Sequence, residues 1–168
     1  LEHFETITPE GAMVEICPAA TGFAHDLGAR IAARGGVAIF VDYGGWVSQG
    51  DTLQALRAHA PIDPLDQPGS ADLTAHVDFE RIAAAAAHAG ARVSPMLTQG
   101  TWLERLGIGQ RAQALAARMG EAARARHLAA HHRLTDAAEM GELFKVLAIS
   151  AEGSPPVPAF ETPDPKLP

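Results

Sequence analysis

Val37-Ala38-Ile39-Phe40-Val41 is a continuous apolar, largely β-branched run, set between Gly35-Gly36 and Asp42-Tyr43-Gly44-Gly45. An unbroken apolar run between turn signals predicts a strand covered on both faces, the composition of a central strand with parallel neighbours. Ahead of it, Ala19 to Arg34 has helical spacing, with Phe23, Leu27 and Ile31 four apart on one predicted face. Gly35-Gly36 ends that helix, because glycine takes the left-handed turn at little cost. Helix, glycine turn, buried strand and polar loop together make one unit of an open α/β sheet.

The rest of the chain extends this pattern. Ala12 to Cys17 reads as a short strand stopped by Pro18. Asp51 to His59 leaves strand and helix both open, and Pro61, Pro64 and Pro68 mark a turn-rich stretch. Asp78 is placed to cap a helix running from Phe79 to about Ala89, ended by Gly90. Arg92 to Leu97 is a predicted strand that Pro95 confines to a sheet edge or a bulge. Thr101 to Leu106 makes a short helix, Gln110 to His132 makes one or two, and Leu143 to Ile149 is the last strand. A central strand whose only upstream neighbour is Ala12–Cys17 leaves backbone groups without partners, so part of the sheet is expected to be missing. Residues 1–152 form the expected domain, and 153–168 a Pro-rich tail expected to be extended or disordered.

Composition narrows the function classes. The 168 residues suit one domain or a large piece of one. A net charge of −7 argues against a nucleic-acid partner, which calls for a basic patch. No apolar run approaches the roughly 18–20 residues of a membrane span. Cys17 is the one cysteine, so there is no disulfide framework or cysteine metal site. That fits a reducing compartment, and the high Ala and Arg usage suggests a bacterial cytoplasmic protein. The start, Leu1-Glu2-His3-Phe4-Glu5, has neither an initiating Met nor a signal-peptide pattern, so the expected chain is processed, trimmed or incomplete. The sequence contains no GxGxxG loop, Walker loop, GxSxG elbow or CxxC pair, and no complete cofactor site.

Ligands of open α/β sheets bind beyond the carboxyl ends of the strands, where Asp42-Tyr43-Gly44 lies. Asp42 either accepts a hydrogen bond from a ligand or caps a turn beneath Tyr43, and Gly44 permits close backbone approach. Glu15, ahead of Pro18, either binds a cationic group or pairs with an arginine. If the segment Asp72 to Phe79 is extended, Asp72, Thr74, His76 and Asp78 share one face. Two carboxylates and an imidazole there serve as base, proton shuttle or guanidinium clamp, or else Thr74 and Asp78 hold a turn and a helix start. No metal site is expected. His127 and His131 have a four-residue spacing without a supporting acid in sequence and read as exposed helix histidines. Trp46 and Trp102 line either a groove or the core.

Several blocks in order resemble one family. They are Val14-Glu15-Ile16-Cys17-Pro18, Ala38 to Gly44, Gly50-Asp51-Thr52-Leu53-Gln54-Ala55, Asp63-Pro64-Leu65, and Pro68 to Phe79. Thr98-Gln99-Gly100, Leu106-Gly107-Ile108 and Glu139 to Leu147 complete the set. Together they look like the carboxyl-terminal half of MidA-like methyltransferases, whose mitochondrial members assist assembly of respiratory complex I. The resemblance implies a partial Rossmann-like methyltransferase sheet with flanking helices, Val37–Val41 as an inner strand and Leu143–Ile149 as an antiparallel last strand. It implies S-adenosylmethionine as cofactor and a protein arginine as acceptor. Glu15, Asp42, His76 and Asp78 are the acids and base expected to be catalytic, with Tyr43, Gly44, Asp72 and Thr74 on the substrate side. In this family the glycine-rich cofactor loop belongs upstream of these blocks, so no cofactor contact is assigned here and the chain alone is expected to be inactive. The alternative is a non-catalytic assembly or protein-binding factor that keeps the fold. Oligomeric state is left open.

Overall fold

The computed structural model describes residues 10–161. Helix α1 (Pro18–Arg34) opens on proline, whose missing N–H has no helical partner to lose there, and closes on Gly35, whose N–H donates to the Ile31 carbonyl at 2.8 Å. Its buried line is Ala24, Gly28 and Ile31, not the expected Phe23, Leu27 and Ile31. Phe23 is 62% exposed, while Leu27 sits at the margin of the core. Close approach is the reason. A Cβ on Gly28 would stand 2.9 Å from the backbone of Ala86, so only small side chains fit the seam between α1 and α2 (Phe79–His88).

The main sheet is built on β8 (Phe144–Ser150), which is the inner strand. Along one edge it pairs antiparallel with β1 (Val37–Gly45), from Val37 opposite Ser150 to Tyr43 opposite Phe144. Along the other edge lie two short antiparallel pieces, β6 (Arg92–Val93) and β7 (Leu97–Thr98), with Pro95 at the interruption between them. β1 meets a parallel neighbour only at its end, where Gly44 and Gly45 lie opposite Val77 and Asp78 of β5 (Val77–Asp78). The expectation of parallel neighbours on both sides is thereby corrected. An apolar run reports burial and not the direction of the partner strand. Cover on both faces is also not met, because Val37, Ile39 and Val41 are 51%, 44% and 43% exposed. Among the described residues, no strand pairs with the edge of β1 opposite β8 between Val37 and Tyr43.

One face of this sheet packs on α1 and α2. Phe40 and Leu147 meet Ala24, Phe79 and Ile82, and Ala38 and Ile149 meet Ile31 and Ala86. The opposite face of β8 presents Val146 and Ala148, which are covered by Val157 and Phe160 with Leu97 and Trp102 at the margin. Residues 153–161 are therefore seated on the sheet rather than extended or disordered, since two of their apolar side chains bury against it. Residues 162–168 lie outside the described residues.

A smaller antiparallel sheet has the order β3-β2-β4, from β2 (Gln54–Arg57), β3 (Ala60–Ile62) and β4 (Asp72–Thr74). It resolves the ambiguous Asp51–His59 stretch as a strand and turn. The C-terminal helices are α3 (Gln99–Arg105), α4 (Ile108–Ala116), α5 (Glu121–Thr135) and the short α6 (Met140–Leu143). No helix among the described residues is long and apolar enough to cross a membrane. Ala12–Cys17 forms no strand. It is held instead by isolated hydrogen bonds to the loop at 50–52, beginning with Gly50 N–H to the Met13 carbonyl at 3.0 Å.

Candidate active site

Three separate segments converge on one cavity of about 320 Å³. Glu15, Cys17 and Thr21 come from the stretch that leads into the first turn of α1, Leu53 from the loop before β2 (Gln54–Arg57), and His76, Asp78 and Arg81 from β5 and its flanks. Much of the remaining wall is apolar, including Ile16, Val77 and Ile82. Acid groups at the rim of an apolar pocket suit a cationic group carried on an aliphatic stem.

Glu15 is held by Thr52. The Thr52 N–H donates to Glu15 Oε1 at 3.1 Å, and the Thr52 hydroxyl donates to Glu15 Oε2. The Thr52 oxygen in turn accepts the His76 N–H at 2.9 Å. The Thr52 hydroxyl is the largest cause holding the Glu15 carboxyl below its usual value; burial opposes it, and the Thr52 and Leu53 N–H groups and His76 reinforce it. Glu15 therefore faces the cavity as a carboxylate with its oxygens fixed in direction.

Asp78 does two jobs. Its Oδ1 accepts the Arg81 N–H at 3.1 Å, capping α2 as the sequence predicts, and its Oδ2 accepts the Ser48 N–H at 3.3 Å. The Arg81 Nε stands 3.6 Å from the same Oδ2. The aspartate is a helix cap, a tie to the 46–48 loop and part of the cavity wall together.

The other expected residues divide. The Tyr43 ring lies edge-on to His76, with centroids 6.0 Å apart, and edge-on to Phe144 at 5.5 Å. Tyr43 and His76 are thus brought together, but Tyr43 does not line the cavity. Asp42 lies within β1 opposite Lys145, and its Oδ1 accepts the adjacent Tyr43 N–H at 2.8 Å; it neither caps a turn nor lines the cavity. Gly44 crosses Val77 so closely that a Cβ would collide with the Val77 backbone, so its close approach is to β5. Asp72 and Thr74 belong to β4 and pair with Leu56 and Gln54 of the small sheet. The expected common face of Asp72, Thr74, His76 and Asp78 is corrected here. The chain leaves one sheet after Thr74 and joins the other at Val77, and the alternation does not survive the break.

Sequence reasoning missed Thr52 and Arg81. Arg81 was within reach of a helix argument, three residues after the cap. Thr52 was not, since its partners are 37 and 24 residues away. The histidine pair on α5 also differs from expectation. Both residues are partly buried: His127 Nε2 is 3.1 Å from the Ala112 carbonyl oxygen, and His131 Nε2 is 3.2 Å from a Glu104 carboxylate oxygen. Among the described residues, no group of three or more His, Cys, Asp or Glu is placed to hold a metal. Trp102 packs against Phe160 in the core margin, and Trp46 is 42% exposed beside α2.

A family of S-adenosyl-L-methionine-dependent methyltransferases matches residues 1–97. The chain belongs to these MidA-like methyltransferases. The mitochondrial protein arginine methyltransferase NDUFAF7 of Xenopus tropicalis is 33% identical over 88% of this chain and 35% of its own length. The same protein of Mus musculus is 37% identical over 81% of this chain and 31% of its own length. A COG1565 superfamily member from Burkholderia thailandensis, bound to S-adenosyl-homocysteine, superposes with a TM-score of 0.77 at 30% identity, covering 95% of this chain and 43% of that one. The MidA-like chain described here thus spans about a third of the length of the curated relatives it matches. Its sheet and flanking helices are those of the Rossmann-like methyltransferase fold, with β8 as the antiparallel last strand.

Proposed function

We propose that this chain is the acceptor side of an S-adenosylmethionine-dependent methyltransferase acting on protein arginine. One observation carries the proposal: Glu15, His76 and Asp78, from segments separated by the whole α1–β4 region, line a single apolar-walled cavity. The relatives named as protein arginine methyltransferases supply the acceptor. A guanidinium fits the site on chemical grounds, being planar, cationic and matched by carboxylate oxygens in fixed directions.

S-adenosylmethionine, when bound, supplies an electrophilic methyl group. The donor set of the cavity suits a cationic acceptor, whereas the described residues hold no glycine-rich strand-to-helix turn for the cofactor. The residues described here therefore do not by themselves make the cofactor's cradle, and the unpaired edge of β1 is consistent with further sheet beside it. On this chain, Glu15 orients the guanidinium, Asp78 fixes the wall and the start of α2, and His76 stands where a proton leaving the acceptor can be taken. A reducing, cytoplasmic bacterial setting belongs to the same proposal and agrees with the exposed free thiol of Cys17.

The test uses an arginine peptide and a longer chain that extends upstream through the cofactor loop. Alanine is placed singly at Glu15, Asp42, His76 and Asp78, and methyl transfer is followed. Loss of turnover at Glu15 and His76 is expected. Wild-type turnover from all four variants would sink the assignment. Cofactor binding without any arginine methylation would move the protein to the class of non-catalytic assembly factors.

A further inference from the structure

Thr52 does not line the cavity, yet it touches both sides of it. It gives two hydrogen bonds to Glu15 and receives one from the backbone of His76. It is 9% exposed, on the loop between β1 and β2. We propose that Thr52 is a positioning residue for methyl transfer, locking the Glu15 carboxylate to the segment that carries His76. This rests on the acceptor-side assignment of the cavity.

The physical case is one of geometry. Glu15 lies on an irregular segment with no strand ladder to fix it, so its direction depends on what its oxygens bind. Thr52 binds both oxygens, which leaves the carboxylate one orientation instead of a family of rotamers. The hydroxyl can donate to Glu15 because its lone pair is what receives the His76 N–H; each group has a single compatible role. Valine at this position keeps the shape and removes the relay, while serine keeps the relay and removes only a methyl group. The charged or titratable groups around the same cavity are Cys17, His76, Asp78 and Arg81, and all remain in both variants.

Two measurements test the proposal. In the 168-residue chain, carboxyl carbon resonances of labelled glutamate are titrated for wild type, Thr52→Val and Thr52→Ser. Glu15 is expected to titrate at higher pH in Thr52→Val and near the wild-type position in Thr52→Ser. An unchanged Glu15 titration in a folded Thr52→Val chain overturns the proposal. In the longer, active chain, Thr52→Val is expected to lower kcat/KM about tenfold, the scale of one lost hydrogen bond to a charged group, with Thr52→Ser restoring most of it. In a Glu15→Gln background, Thr52→Val is expected to add little further loss; a full additional tenfold loss overturns the positioning role. If Thr52→Val does not fold, the serine variant still decides the matter: loss of turnover in a folded Thr52→Ser chain with its Glu15 titration intact overturns it. The resonance titration needs no methyl transfer, so it fails or succeeds separately from the arginine assignment.

Discussion

Glu15 takes a hydrogen bond on each carboxylate oxygen from a residue 37 positions away, and the consequence is a dependence of stability on pH. Its folded carboxyl is held below the ordinary value, chiefly by the Thr52 hydroxyl. A depressed folded value contributes stability above the unfolded glutamate value of about 4.3, and that contribution is lost as the pH falls through the folded value. Glu15→Gln is therefore expected to be less stable than wild type near neutrality, with the difference shrinking as the pH drops below about 4.3. Urea denaturation at a series of pH values reads this directly; a gap that is constant down to acid pH would contradict it. At Asp78 the expected cost is that of a cap. Asp78→Ala should lose about 1 kcal/mol of stability, and Asp78→Asn should lose less, because an amide oxygen can still accept the Arg81 N–H.

Between elements, the decisive contact is the seam of α1 and α2. Alanines and a glycine line it, so the helices approach until a Cβ on Gly28 would meet backbone. Gly28→Ala must push the helices apart or strain the Ala86 turn, and a loss of about 1–3 kcal/mol is expected, seen as a lower thermal midpoint. Leu147, fully buried between the sheet and these helices, is the opposite case. Leu147→Ala should cost about 2–5 kcal/mol through the lost apolar area and the cavity it leaves. The sequence shows why the first of these was hard to see. Helical spacing offered Phe23 as a core residue because it is large and apolar, yet the close seam selects for small size. Ile31 was rightly placed and Leu27 lies at the core margin, while the seam itself runs one residue on from Phe23 and Leu27, along Ala24 and Gly28.

Across the whole molecule, the C-terminal stretch decides how much of β8 is covered. Val157 and Phe160 close over Val146 and Ala148, while the neighbouring Val37, Ile39 and Val41 on β1 stay open. Phe160→Ala should destabilise the chain by about 3–5 kcal/mol, and ending the chain at Gly153 should lower the thermal midpoint further. Circular dichroism melting of the two variants checks both. A chain ended at Gly153 that melts like wild type would show that the proline-rich stretch is not part of the folded unit. The open face and unpaired edge of β1 agree with a chain that covers about a third of its curated relatives.

The sequence by itself determined the elements whose signals are local. The β1 run between glycines, the Asp78 cap, the break at Pro95 and the last strand all follow from a few adjacent residues, and the family blocks carry the methyltransferase identity. Glu15, His76 and Asp78 were legible as candidates because each is a titratable side chain beside a break in an apolar pattern, although Asp78 was equally legible as a helix cap. Their assembly was not. Only the tertiary structure decided that the antiparallel β8 is the direct neighbour of β1, that Asp72 and Thr74 belong to a different sheet from Asp78, and that Thr52 lies behind Glu15. The physical reason is common to all three. Strand pairing, sheet membership and a hydrogen bond spanning 37 residues depend on where distant segments are brought together, and no short window of sequence contains both partners.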